Sequence, residues 1–201
     1  RFGICCSSLT KKNVWTNPVS INKSAHSLFS ADMDTEDRFH MLLQDMQGNL
    51  HYTIMEGSSI RSLPILSSRN PNVYNKHLKI IPLKDEVHFF YVLKQERAPI
   101  LSHQVLGKGG KGSNPRVVDY VGDNSCPVCL VYDGKDEIYA FYQVNDGKYY
   151  QLGEKRYVLN TKRWSEFNQL TDNQGDCGFP KAIADKAGTI HLCYQKSSPG
   201  Q

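Results

Sequence analysis

Apolar residues in this chain gather in short segments separated by Asp, Gly, Asn and Pro, the pattern of strands joined by tight turns. One word recurs. Phe39-His40, followed by Asp45, Gly48, Leu50 and His51, returns 140 residues later without a gap as Phe179-Pro180, Asp185, Gly188, Ile190 and His191. Two weaker copies lie between them, Leu83-Lys84-Asp85-Glu86-Val87-His88-Phe89-Phe90-Tyr91 and Asp133-Gly134-Lys135-Asp136-Glu137-Ile138-Tyr139-Ala140-Phe141-Tyr142. Each reads as a strand, an Asp/Gly turn and a second strand of apolar, His or Tyr, apolar. His51, His88, Tyr139 and His191 take equivalent places at spacings of 37, 51 and 52 residues. Residues 39–51 and 179–191 are therefore expected to form the same β-hairpin, with Phe39 and Phe179 buried.

A third apolar segment follows each hairpin, at 59–66, 99–106 and 148–152. Fourth, edge-like segments are marked by Asn13-Val14-Trp15, Asn72-Val73-Tyr74 and Lys162-Arg163-Trp164, with 116–121 serving the remaining copy. Each unit is then a four-stranded antiparallel meander of about 50 residues, the size of a propeller blade. The pattern predicts an all-β fold, a β-propeller of four-stranded antiparallel blades with about four blade equivalents in the chain. Its domain is 1–201, a single propeller or a propeller fragment, with units at approximately 1–20 plus 179–201, 39–76, 77–121 and 126–172. The ends are complementary: 2–9 resembles a third strand and 189–194 a second, so these two segments are expected to pair antiparallel and leave no unpaired internal edge. Only 31–46 offers a competing helix, because Asp32, Asp34 and Asp37 suit a helix cap; the repeat confines any helical turn to residues before Phe39.

Composition agrees. The 201 residues are 39% hydrophobic and 22% charged, enough for a sizeable core, and 15 Gly, 9 Pro, 11 Tyr and 8 Phe favour strands and corners over long helices. No apolar run approaches the roughly 20 residues of a membrane span, so the chain is expected to be soluble. Its start, Arg1-Phe2-Gly3-Ile4-Cys5-Cys6, has no initiator Met and no signal-peptide layout, and the chain is expected to be processed or cut from something longer. A net charge of +4 with scattered basic residues does not call for nucleic acid.

The phrases Asp45-Met46-Gln47-Gly48-Asn49-Leu50-His51-Tyr52 and Asp185-Lys186-Ala187-Gly188-Thr189-Ile190-His191-Leu192-Cys193-Tyr194 resemble the inner hairpin of sialidase-like β-propellers of the BNR-repeat type. Strict Asp boxes, Ser-x-Asp-x-Gly-x-x-Trp, are absent, as are the Trp-Asp pairs of WD40 blades and the double glycine of kelch repeats at blade spacing. The resemblance implies a fold, not a reaction.

The chemical signals mostly reduce to structure. His51, His88 and His191 invite a metal reading, but equivalent positions of successive blades lie apart around a ring, so packing is the expectation. Asp45 and Asp185, each three residues before a Gly, read as turn residues rather than catalytic carboxylates. Cys126-Pro127-Val128-Cys129 lacks the second pair that zinc requires, and its Cys-Pro aligns with Phe179-Pro180. The six cysteines, Cys126 and Cys129 with Cys5, Cys6, Cys177 and Cys193, are expected to be free and largely buried thiols, with one or more disulfides, or a metal or redox site, as the alternatives. Residues 107–113 imitate a phosphate loop without its Gly-Lys-Ser/Thr order and read as a mobile basic loop between outer strands. A sialidase requires an arginine cluster with paired carboxylates, and Ile60-Arg61-Ser62-Leu63-Pro64 is only a faint echo of the family's arginine motif.

The function expected is therefore binding or scaffolding, with no catalytic residue, no metal and no cofactor; the alternative is a sialidase-like glycoside hydrolase. Loops on one face bring together Asp34, Glu36, Arg97, Asp123, Asp146 and Asp172. Of these, Arg97, Asp123, Asp146 and Asp172 are the expected ligand-binding residues. So many carboxylates disfavour an acidic sugar and leave a protein or a neutral glycan as the expected partner, with no nucleic acid and no membrane span. A homo-oligomer or the remainder of a larger chain is the expected route to a complete ring.

Overall fold

The Asp/Gly words fold as the turns their chemistry demands. In the computed structural model, which describes residues 2–69, 74–123 and 125–197, Asp45 Oδ1 accepts the backbone N–H groups of Gln47 and Asn49 at 2.8 and 2.9 Å while Gly48 takes φ +83°. Asp185 does the same for Ala187 and Thr189 at 2.8 and 2.9 Å, beside Gly188 at φ +88°. Asp133 collects the N–H groups of Lys135, Asp136 and Glu137. A carboxylate that accepts its own chain's donors closes each turn, and glycine removes the Cβ that the left-handed backbone would strain.

Strands fill the spaces between these turns. The described residues form sixteen strands in antiparallel sheets, with no helix. Two compact units divide the chain, Arg1–Tyr91 with Gln104–Pro115, and Val92–His103 with Arg116–Gln201. The first contains a five-stranded sheet of β1 (Phe2–Cys6), β2 (Val19–Met33), β3 (Phe39–Asp45), β4 (Leu50–Glu56) and β5 (Ser59–Leu66), paired in chain order. A four-stranded sheet follows, also in chain order: β6 (Lys79–Pro82), β7 (Glu86–Leu93), β8 (Ile100–Gly107) and β9 (Arg116–Tyr120). In the second unit, β10 (Val128–Tyr132), β11 (Glu137–Asn145), β12 (Tyr150–Val158) and β13 (Arg163–Trp164) pair in order, and β14 (Asn168–Gln169) also lies on β12. β15 (Cys177–Ala184) and β16 (Ile190–Lys196) make a two-stranded sheet.

The core runs along an inner strand of each larger sheet. Met41, Leu42 and Leu43 of β3, Phe89, Phe90 and Tyr91 of β7, and Ala140, Phe141 and Tyr142 of β11 are all buried. Consecutive buried residues mean burial on both faces, so these strands read as unbroken apolar runs rather than alternations. Each large apolar side chain contributes about 1.5–3 kcal/mol on leaving water. β16 alternates instead, with a half-buried residue at every second position of its first half.

Both expected hairpins are present, β3–β4 and β15–β16, but not in equivalent sheets. β3 has β2 on its far side, with Met33 opposite Phe39 and Ala31 opposite Met41. The segment 31–46 therefore has no helical turn: β2 runs straight to Met33, and Asp34 closes a turn by accepting the N–H groups of Glu36 and Arg38. Nor does β1 take the partner that complementary ends predict. It pairs with β2, Cys6 opposite Val19 and Ile4 opposite Asn22, because a short connection closed by a Leu9–Trp15 bridge brings β2 to it at little cost in loop entropy. Phe39 is half-buried, and Phe179 is 40% exposed rather than buried. Its φ of +54° and the register shift between Gly178 and Lys181 rotate the side chain outward. The expected edge segment Asn72-Val73-Tyr74 lies mostly outside the described residues. All six cysteines are free, yet only Cys177 is buried, because Cys5 and Cys193 sit on strands with a solvent face.

Candidate functional site

The β7–β8 loop, the end of β9 with its following turn, and the facing ends of β11 and β12 enclose a depression of about 490 Å3 in the second unit. Arg97 and Asp123, both expected from sequence, line it. So do two exposed aromatic rings, Tyr120 at 57% and Tyr150 at 37% exposure. Asp123 meets Lys94 at 3.6 Å, an exposed pair that contributes little stability.

Asp119 holds this wall together. Its Oδ2 accepts the Tyr142 O–H at 2.6 Å and the Lys155 ammonium at 2.9 Å, while its Oδ1 accepts the Tyr120 N–H at 2.8 Å. Burial alone would raise its carboxyl, but the hydrogen bonds from Tyr142 and Lys155 outweigh that and hold it below the usual carboxylate range. Burial, with Asp119 beside it, pushes the Tyr142 phenol up. Gly122 closes the far side: its N–H donates to Gln143 O at 2.9 Å, and a Cβ there would stand 3.5 Å from the Tyr150 ring and 3.0 Å from Gln143 Oε1. The chain can pass this close to Tyr150 because glycine carries no side chain.

Asp146 and Asp172 line a neighbouring, shallower depression of about 550 Å3 with Lys148, Tyr149 and Asn173. The β11–β12 turn, 146–149, separates the two. Asp146 is occupied by that turn, since its Oδ1 accepts the N–H groups of Lys148 and Tyr149 at 2.8 and 2.7 Å, and these bonds hold its carboxyl below the usual range. Buried Gln151 anchors the other wall, its Nε2 donating to Asn173 O and its Oε1 accepting from Thr171 Oγ1 at 2.8 Å. The four expected residues thus fall two and two into adjacent depressions. Tyr120, Tyr150, Lys94 and Asp119 escaped the sequence reading.

Asp34 does not belong on an exposed face. It is buried, its Oδ2 accepting the Arg38 Nε–H at 2.6 Å and the His40 Nε2–H at 3.0 Å. Burial opposes its ionisation, but these bonds and the Arg38 and Glu36 N–H groups pull its carboxyl well below the usual range. Every carboxylate whose titration moves in the described residues, Asp34, Asp45, Asp119, Asp146 and Asp185, moves down. Among the described residues no three His, Cys, Asp or Glu side chains gather as metal ligands would. His51 and His191 bond the turn aspartates instead, and His88 is buried within β7.

No family model matches the sequence, and no curated protein matches it. Solved structures do match. The BP39L lectin of Burkholderia pseudomallei superposes with a TM-score of 0.59 at 14% identity, over 92% of this chain and 57% of that one. AofleA from Arthrobotrys oligospora, in a variant with three arginines replaced by alanine, gives 0.55 at 15%, over 88% and 55%. Trypanosoma rangeli sialidase in complex with the inhibitor DANA gives 0.54 at 11%, over 98% and 36%. The chain spans little more than half the length of the first two and about a third of the sialidase. At such identities the likeness is one of fold, the all-β, β-propeller-type architecture that the repeats predict.

Proposed function

We propose that this chain is a non-enzymatic binding module of a β-propeller, and that it takes a neutral glycan in the depression lined by Tyr120, Tyr150, Arg97 and Asp123. The four sheets are then blades or parts of blades. The observation that carries this reading is the pair of exposed rings beside paired polar groups in one concavity. A sugar offers an apolar C–H face and a ring of hydroxyls. The first stacks on an aromatic ring, and the second needs donors and acceptors side by side, here Arg97 and Lys94 with Asp123. Lys94 and Arg97 against Glu96, Asp119 and Asp123 leave no positive excess to attract an acidic sugar. The lectin and the sialidase among the structural neighbours support a carbohydrate ligand at the level of fold.

Glycoside hydrolysis ordinarily needs two carboxyls whose environments push their titrations apart, one kept protonated as the acid. The downward movement of every shifted carboxylate speaks against such a carboxyl pair among the described residues, but not against a sialidase, whose nucleophile is a tyrosine. A neutral glycan array, with fluorogenic glycosides and a protein pull-down in parallel, tests the reading. Tyr120→Ala and Tyr150→Ala are each expected to weaken glycan binding about five- to tenfold, as loss of a stacking partner worth about 1–1.4 kcal/mol does. Glycan binding untouched by both changes overturns the site, turnover lost in Asp123→Ala promotes the hydrolase, and capture of a protein alone replaces glycan by protein as the ligand.

A further inference from the structure

The hairpin of β1 and β2 runs past the body of its sheet. β3 ends at Asp45, opposite Ala25, so the part of β2 before Ala25 has only β1 as a hydrogen-bonded neighbour. Ile4 and Ile21 still pack on the core with Met41 and Leu43, but every residue from 7 to 20 is exposed. Leu9, Val14, Trp15 and Val19 are among them, Trp15 at 65% and Val14 at 61%. Leu9 and Trp15 face each other across an antiparallel bridge and so project from the same side. The arm is nevertheless ordered. Thr16 N–H donates to Ser8 O at 2.9 Å, Ser8 N–H to Thr16 Oγ1 at 2.9 Å and Thr10 N–H to Val14 O at 3.0 Å, while Asn13 turns the chain at φ +57°. Backbone donors satisfied within the arm can leave water at little cost.

Charge is as uneven as exposure. No Asp or Glu stands before Asp32, whereas Arg1, Lys11, Lys12 and Lys23 do. Of the 24 Lys and Arg, the 20 that follow match the 20 Asp and Glu one for one, so the whole net charge of +4 sits on the first 31 residues. Lys11, Lys12 and Lys23 are all exposed. Lys11 and Lys12 lie at the turn itself, with Leu9, Val14 and Trp15 directly behind them. Apolar side chains beside ammonium groups, in a segment without carboxylates, complement a surface of anionic heads over a hydrocarbon layer. Tryptophan suits that boundary, and lysine stems reach back from it to the phosphates. A polynucleotide would meet the charges but give Leu9, Val14 and Val19 nothing to bury against, and the arm offers one ring where single-strand binders offer a row of them. We propose that the β1–β2 arm docks this protein peripherally on an anionic lipid bilayer, with Trp15 and Leu9 entering the interface and Lys11 and Lys12 on the lipid phosphates.

Vesicles of mixed phosphatidylserine and phosphatidylcholine are the probe, with pure phosphatidylcholine as the neutral match, sedimented with the full chain. The mixed vesicles are expected to carry the protein down, with neutral vesicles about tenfold weaker and binding falling as salt rises. Tryptophan emission should shift to the blue on binding, and Trp15→Ser should abolish the shift. Trp15→Ser, and Lys11→Glu combined with Lys12→Glu, are each expected to weaken binding about tenfold or more with an unchanged thermal midpoint, because these side chains are exposed and outside the core. Tyr120→Ala is expected to leave vesicle binding unchanged, which separates this surface from the glycan depression. Absence of sedimentation with mixed vesicles, or sedimentation unaltered in both arm variants, overturns the proposal. Equal binding to neutral vesicles overturns the anionic class of lipid, and retention on duplex DNA in place of vesicles overturns the bilayer in favour of nucleic acid.

Discussion

His51 donates its Nε2–H to Asp45 Oδ2 across 3.0 Å, six residues back along the chain, and the carboxylate so held also closes the β3–β4 turn. The same six-residue step joins His40 to Asp34 at 3.0 Å and His191 to Asp185 at 3.3 Å. Asp133 and Tyr139 occupy the corresponding positions of a fourth turn. The three imidazoles differ in burial, with His40 enclosed, His51 partly so and His191 largely in solvent. A histidine at this place is a clamp on a turn, which accounts for its recurrence without invoking metal chemistry.

Acid should unfold the protein through these turns. Asp34, Asp45, Asp119 and Asp185 all titrate below the ordinary value of 3.8 in the folded state. A depressed folded value means stability that is complete above the unfolded value and is lost as pH falls through the folded one. The thermal midpoint is expected to hold from neutrality to about pH 4 and to drop below it. A midpoint that stays level between pH 4 and pH 2 would refute this.

Among the clamps, Asp34 should matter most. Asp34→Ala leaves the buried His40–Tyr52 pair without its acceptor and the Arg38 guanidinium with Glu36, and the expected loss is about 2–4 kcal/mol in urea unfolding. Asp185→Ala, in an exposed turn, is expected to cost less. The reverse order would place the energetic weight in the turn bonds and not in the buried chain.

Lys76 is buried, its ammonium 4.1 Å above the Tyr74 ring and without a hydrogen-bond partner among the described residues. Burial pushes its titration down, with Asp45 opposing. Because the unfolded chain then binds the proton more tightly, stability should rise as pH climbs through the folded value towards 10.5. Lys76→Met should abolish that rise and stabilise the protein by about 1 kcal/mol at neutral pH. Destabilisation by Lys76→Met would mean that the ring contact outweighs desolvation.

Gly153 lies beneath the Phe167 ring, where an added Cβ would overlap the ring and stand 3.0 Å from Asn168 O. Gly153→Ala is expected to cost about 1–3 kcal/mol and several degrees of thermal midpoint. Phe167→Ala in the same chain should relieve part of that cost. Strict additivity of the two changes would show that they do not meet.

Asp119→Asn keeps the hydrogen-bond geometry at Tyr142 and removes the charge. The Tyr142 phenol, pushed up by burial and by Asp119, should then titrate earlier in an ultraviolet pH titration. An unchanged phenolate curve would leave burial as the whole cause.

The sequence by itself determined what depends on residues within a few positions of one another. Asp45 to Asn49 and Asp185 to Thr189 form their turns because the carboxylate reaches its own chain's donors whatever lies beyond, and the apolar runs around Phe89 and Tyr142 become strands buried on both faces. Tertiary structure decided which strand lies beside which. The segment 2–9 suits either of two edges, and only the short path through Leu9 and Trp15 gives it to β2. Phe179 turned outward because a local register shift overrode the repeat. The candidate site was half legible: Arg97 and Asp123 stood out as charges in loops, whereas Tyr120 and Tyr150 stand thirty positions apart and meet only when β9 and β12 converge on one concavity. Distance along the chain hides such a pair, since each tyrosine alone is as well explained by a strand's preference for aromatic residues.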